Sequence, residues 1–145
     1  MNRDIESLAH MVVEYLEVKH TGLAGRSGVD LFIDREPATP NDCVTIFNTG
    51  GSEQNPNYTI DTGTVQVRIR GISYDEAYRK IRNITNVLQS LDGYRTMAGE
   101  LLVGCWVTTP VFPLPHDDNN RFIFVVNLRL TKELNNINEG NRREI

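Results

Sequence analysis

The chain has 145 residues with 15 Lys+Arg against 19 Asp+Glu, a net charge of −4. That length sets one domain that buries about two-thirds of its unfolded surface, and the acidic balance argues against a generic nucleic-acid binder. No apolar run is long enough to span a membrane, and the start, MNRDIESLAH, has no signal-peptide h-region. The two cysteines, Cys43 and Cys105, form no CxxC pair, which excludes a disulfide framework or a cysteine zinc site. Composition therefore gives an intracellular, single-domain protein of unspecified function.

Ile5, Leu8, Ala9, Val12, Val13 and Leu16 recur at helical spacing between Arg3 and Lys19. Asp4 and Glu6 suit that helix's first turn and Lys19 and His20 its last, and Thr21-Gly22 ends it. Val29, Leu31 and Ile33 alternate with Asp30, Phe32 and Asp34, a strand closed by Pro37 and Pro40. Cys43–Phe47 forms a second strand. Residues 48–63, NTGGSEQNPNYTIDTG, make a long polar loop, and such loops in small domains are commonly functional. Thr64–Arg70 alternates cleanly, with Val65, Val67 and Ile69 on one face and Gln66, Arg68 and Arg70 on the other.

Gly71 breaks this strand. Ser73 and Glu76 then form a capping box, and Ala77, Ile81, Ile84, Leu88 and Leu91 follow on one helical face, with Gly93 as C-terminal cap. Leu101–Thr108 is a strand carrying Trp106. Pro110, Pro113 and Pro115 make a connection whose turn is Asp117–Asn120. Arg121–Lys132 is the longest strand, with Phe122, Phe124, Val126, Leu128 and Leu130 on its core face. The expected fold is α+β: a mostly antiparallel five-stranded sheet, order α-β-β-β-α-β-β, with two helices on one face. Residues 1–132 form the domain and residues 133–145 a polar, flexible tail.

Few residues assemble into a reaction centre. Asp61-Thr62-Gly63 matches the catalytic tripeptide of aspartic proteases, in which two carboxylates share a proton across a dimer axis. The apolar strand that should precede it is replaced by Asn55-Pro56-Asn57-Tyr58, so a turn with Gly63 as its flexible residue competes with the protease reading. His116-Asp117-Asp118 offers ligand types, but His10 and His20 lie at no useful spacing from it. No catalytic, metal-binding or cofactor-binding residue is assigned, and no cofactor is expected. Arg68, Arg70, Arg121 and Arg129 occupy the non-core faces of two long strands together with Ile123 and Trp106. Solvation of an open sheet face explains them as well as a subunit interface does.

The stretch Arg68-Ile69-Arg70-Gly71-Ile72-Ser73-Tyr74-Asp75-Glu76-Ala77-Tyr78, followed by the Arg121–Leu130 strand, resembles the tail-terminator (tail-completion) or minor capsid proteins of long-tailed bacteriophages, over residues 3–132. The resemblance implies a structural, non-enzymatic subunit of a hexameric ring. Such a ring caps the tail tube and joins it to the head connector, with DNA passing only through its lumen. The partners implied are further copies of the chain, the tail tube protein and the connector protein, with no membrane. The location implied is the virion neck, after assembly in the host cytoplasm. Another neck or head-completion protein would share these features, and the Asp61 protease is the distant alternative. On this reading Arg68, Arg70, Trp106, Arg121, Ile123 and Arg129 make subunit contacts. Gly50, Gly51, Asn57, Tyr58 and Asp61 in the first loop, and Phe112, Asp117 and Asp118 in the second, reach the partners.

Overall fold

The computed structural model describes residues 7–51 and 60–133. Helix α1 (Leu8–Lys19) opens on Ser7, whose side chain accepts the His10 N–H, and ends at His20. Strands β1 (Leu31–Ile33), β2 (Cys43–Gly51) and β3 (Ile60–Gly71) precede helix α2 (Tyr74–Gln89). Strands β4 (Tyr94–Arg95), β5 (Leu101–Leu114) and β6 (Phe122–Glu133) follow it. They form one six-stranded sheet in the order β1-β2-β3-β6-β5-β4. The class is α+β as expected, but the sheet has six strands rather than five and is mixed, because β1 and β2 run parallel. The sixth strand, β4, is only two residues long, too short for any alternating pattern to betray it.

Strand alternation places the core. Val44 and Ile46 of β2, Val65, Val67 and Ile69 of β3, and Phe124, Val126, Leu128 and Leu130 of β6 all point to one side. Both helices cover that side: α1 with Ala9, Met11, Val12, Val13 and Leu16, α2 with Ala77, Ile81, Ile84 and Leu88. Each fully buried aliphatic side chain of this set contributes roughly 1.5–3 kcal/mol. Ser73 caps α2 by accepting the Glu76 N–H at 3.3 Å. At the other end the cap is Ser90, not Gly93, which lies past the helix with a φ of 84°. Gly71 is the last residue of β3 and stands where space is short. A Cβ there would sit 3.0 Å from the Asp42 carboxylate and 3.4 Å from the Ala77 Cβ.

Two stretches read as loops are strand. Polar residues 48–51 extend β2 and residues 60–63 extend β3, so Gly50 pairs with Thr64 and Gly51 with Gly63. Asn57 and Tyr58 lie outside the described residues. Pro110, Phe112 and Pro113 belong to β5, whose outer side is a sheet edge, where a proline's missing N–H is tolerated. Glu133, placed in the tail from sequence, is the last residue of β6, and residues 134–145 lie outside the described chain.

Candidate assembly surface

The sheet face turned away from the helices carries every arginine singled out above. Its rows follow from the register. Cys43, Arg70, Ile123 and Leu114 form one row across β2, β3, β6 and β5. Thr45, Arg68, Val125 and Phe112 form the next, then Phe47, Gln66, Asn127 and Thr109, and finally Thr64, Arg129 and Trp106.

Residues 34–42 divide this face. Strands β1 and β2 are adjacent and parallel, so the chain must cross over between them. It does so without a helix, as a strap laid on the first two rows and held there by three guanidinium groups. Arg68 Nε donates to Glu36 Oε2 at 3.1 Å, and Arg70 Nη1 lies 3.7 Å from Glu36 Oε1. Arg70 also donates to the carbonyls of Pro40 (2.6 Å) and Asn41 (3.3 Å). Arg121 donates to the Ala38 carbonyl at 2.8 Å and to Asn41 Oδ1 at 3.3 Å. Its Nε meets Asp117 Oδ2 at 2.8 Å. Arg70 and Arg121 are therefore buried, at 4% and 5% exposure, beside Ile123 and Val125. A buried cation is tolerable only with such a full set of acceptors.

The six interface candidates thus separate. Arg70, Arg121 and Ile123 are internal to the subunit, and Arg68 is half-buried against Glu36. Trp106 and Arg129 are exposed and face each other across β5 and β6. Around them lie Gln66 and Asn127, joined by a 3.1 Å hydrogen bond, and the Thr62 and Thr131 pair. The loop candidates separate too. Phe112 is a strand residue paired with Val125. Asp117 closes its turn by accepting the N–H groups of Asn119 and Arg121 at 3.0 and 2.9 Å, while Asp118 is exposed at the tip. The Asp117 carboxyl is held below its ordinary value, first by the Arg121 backbone N–H. Asp61 pairs with Lys132 within β3, and Thr62 and Gly63 pair with Thr131 and Leu130. The tripeptide is ladder, neither a turn nor a catalytic loop.

Sequence reasoning missed Glu36, the one carboxylate that neutralises two of the arginines, because it stands 32 residues from Arg68 in a segment read only as a strand stop. It also missed a buried ion pair at the far end of the core. There Lys132 Nζ donates to Glu100 Oε1 at 3.1 Å, with side-chain exposures of 4% and 0%. Among the described residues no group of three or more His, Cys, Asp or Glu is placed to hold a metal ion. No described helix is long and apolar enough to cross a membrane. Both cysteines are buried thiols, and burial pushes Cys105 up to about 12.

No curated protein matches the chain. Residues 18–134, from the end of α1 through the whole of β6, match the family described as bacteriophage tail terminator protein, and the chain belongs to that family of structural phage tail proteins.

Proposed function

We propose that this chain is the subunit of a ring that closes the head-proximal end of the tail tube, ends its polymerisation and joins it to the head connector. The family match across α2 and the entire sheet carries this reading. A ring requires heterologous contacts, in which two different patches of one subunit meet and the rotation closes. The open half of the outer sheet face, around Trp106 and Arg129, supplies one such patch. Its mixture of Trp, Arg and uncharged polar side chains is typical of an interface core and rim. The proposed copy number is six, with DNA passing through the lumen. Assembly takes place in the host cytoplasm before incorporation into the virion.

Light scattering on the purified protein, with electron microscopy of the same sample, tests the ring. A six-membered ring supports it, alone or after addition of tail tubes. A phage lacking the chain should make tails of uncontrolled length that do not join heads. Normal tails from that phage would overturn the reading. Tails of correct length that accumulate beside filled heads would indicate a connector-side neck protein instead.

A further inference from the structure

Strand β5 is much longer than its outer neighbour. β4 pairs with it only at Leu101 and Leu102. Among the described residues no strand lies beside Val103–Leu114 on that side. A bare strand edge presents unpaired N–H and C=O groups, and natural sheets blunt such edges with proline, charge or bulges.

The distal part of this edge is blunted. Pro110 and Pro113 stand in it, and the ladder to β6 shifts register between Val107 and Thr109 and again between Thr109 and Phe112. The proximal part, Val103–Thr108 (VGCWVT), carries neither proline nor charge, and its one register shift, between Leu102 and Gly104, lies at its start. From Gly104 to Val107 the ladder is regular. Val103 and Trp106 are 38% and 50% exposed. The indole lies back along its own strand, its tip 3.2 Å from where a Cβ on Gly104 would be. A short uncharged run of β-branched and aromatic residues is the composition that recruits further strands.

We infer that the Val103–Thr108 edge receives an extended strand from a different virion protein, making a seventh strand of the sheet. Main-chain hydrogen bonds would supply the affinity and the exposed Val103 and Trp106 side chains the selectivity, for an uncharged extended segment. A second copy of the chain is the less suitable occupant. The opposite margin of its sheet is the three-residue β1, and beyond it the Asn48 N–H is already taken by Asp34 Oδ1 at 2.7 Å. Through their described long strand edges two copies would therefore join β5 to β5 about a two-fold axis, a contact that stops at two and does not continue around a ring. The inference rests on the ring reading in this respect.

Val103→Lys and Thr108→Lys place a charge at either end of the exposed edge, at exposed positions outside the Trp106 and Arg129 patch. Both variants should fold and keep the wild-type mass by light scattering. Strand addition forced against a lysine should weaken about 100-fold or more, so both should fail to complement a phage lacking the chain and be missing from purified particles. In wild type, hydrogen exchange of those 103–108 amides that point away from β6 should be fast in the free protein and slow in particles. Full complementation by both variants, or unchanged exchange in particles, overturns the inference. A change of mass in the variants also overturns it, by placing the edge between copies. Absence of the wild-type protein from particles is a separate result that defeats the ring reading itself.

Discussion

Replacing Glu36 with alanine tests whether the arginine clamp holds the strap to the sheet. The side chain is 15% exposed and faces Arg68, 27% exposed, and Arg70, 4% exposed. Breaking a fully buried ion pair costs about 3–5 kcal/mol, whereas an exposed pair contributes about 0–1 kcal/mol. Glu36 lies between these limits. Arg70 keeps its two carbonyl acceptors after the substitution, and Arg68 can turn toward water. A loss of about 2 kcal/mol follows, and with an unfolding entropy near 0.3 kcal/mol/K for this length the melting temperature should fall by about 7 °C. Glu36→Gln retains an acceptor for Arg68 and should lose roughly half as much. Thermal melts give the total, and hydrogen exchange of residues 34–42 shows whether the opening is local. A fall of less than about 2 °C for Glu36→Ala would refute the clamp, since an exposed pair would explain that value.

Three further outcomes follow from the ionisable side chains. Lys132→Met should lose about 3 kcal/mol in urea unfolding because it strips the fully buried Glu100 of its cation, and adding Glu100→Gln should restore part of the loss. The Asp117 carboxyl is depressed in the folded chain by its hydrogen bonds to Arg121 and Asn119. Its stabilisation is present above the ordinary carboxylate value of 3.8 and is lost as the pH falls below it. The stability difference between wild type and Asp117→Asn should therefore be constant near neutrality and close toward zero in strong acid. Cys105 is raised to about 12 by burial, and burial raises Cys43 as well. Neither thiol should react with an alkylating reagent at pH 8 until the protein is unfolded, and rapid native labelling would contradict the burial of both.

Elements whose pattern is written locally were legible. Ser73 with Glu76, followed by Ala77, Ile81, Ile84 and Leu88, defines α2 because capping and one buried stripe suffice. The alternation from Phe122 to Leu130 defines β6 because one face is buried throughout. The β2–β3 hairpin was not legible beyond Phe47 and before Thr64. Its outer rungs are backbone pairs between Asn48, Gly50 and Gly51 and residues 63–65, supported by the 2.8 Å contact of the Thr49 and Thr64 hydroxyls rather than by apolar side chains. Polar sequence there encodes exposure, not irregularity. The prolines of β5 misled for a related reason, since a sheet margin accepts them where a central strand would not. The arginines were seen on the correct face, but the strap partners of Arg68, Arg70 and Arg121 come from residues 36–41, and a pairing at such separation leaves no periodic trace.

The strap changes what those arginines mean. An open sheet face with Ile123 and Val125 at its centre would demand a partner over its whole width. With residues 34–42 in place these two are 4% and 1% exposed within the subunit, and the demand disappears from that half. Glu36, the strap carbonyls and Asp117 satisfy three of the four arginines, so charge there serves folding. Arg129, exposed and opposite Trp106, is the arginine left facing outward, and the same Trp106 borders the bare stretch of β5. Among the described residues, the part of this face left open for the proposed assembly is therefore one end of it and the adjoining edge. A charge reversal at Arg129 should consequently impair incorporation into particles at little cost in stability, whereas Arg70→Met should do the opposite.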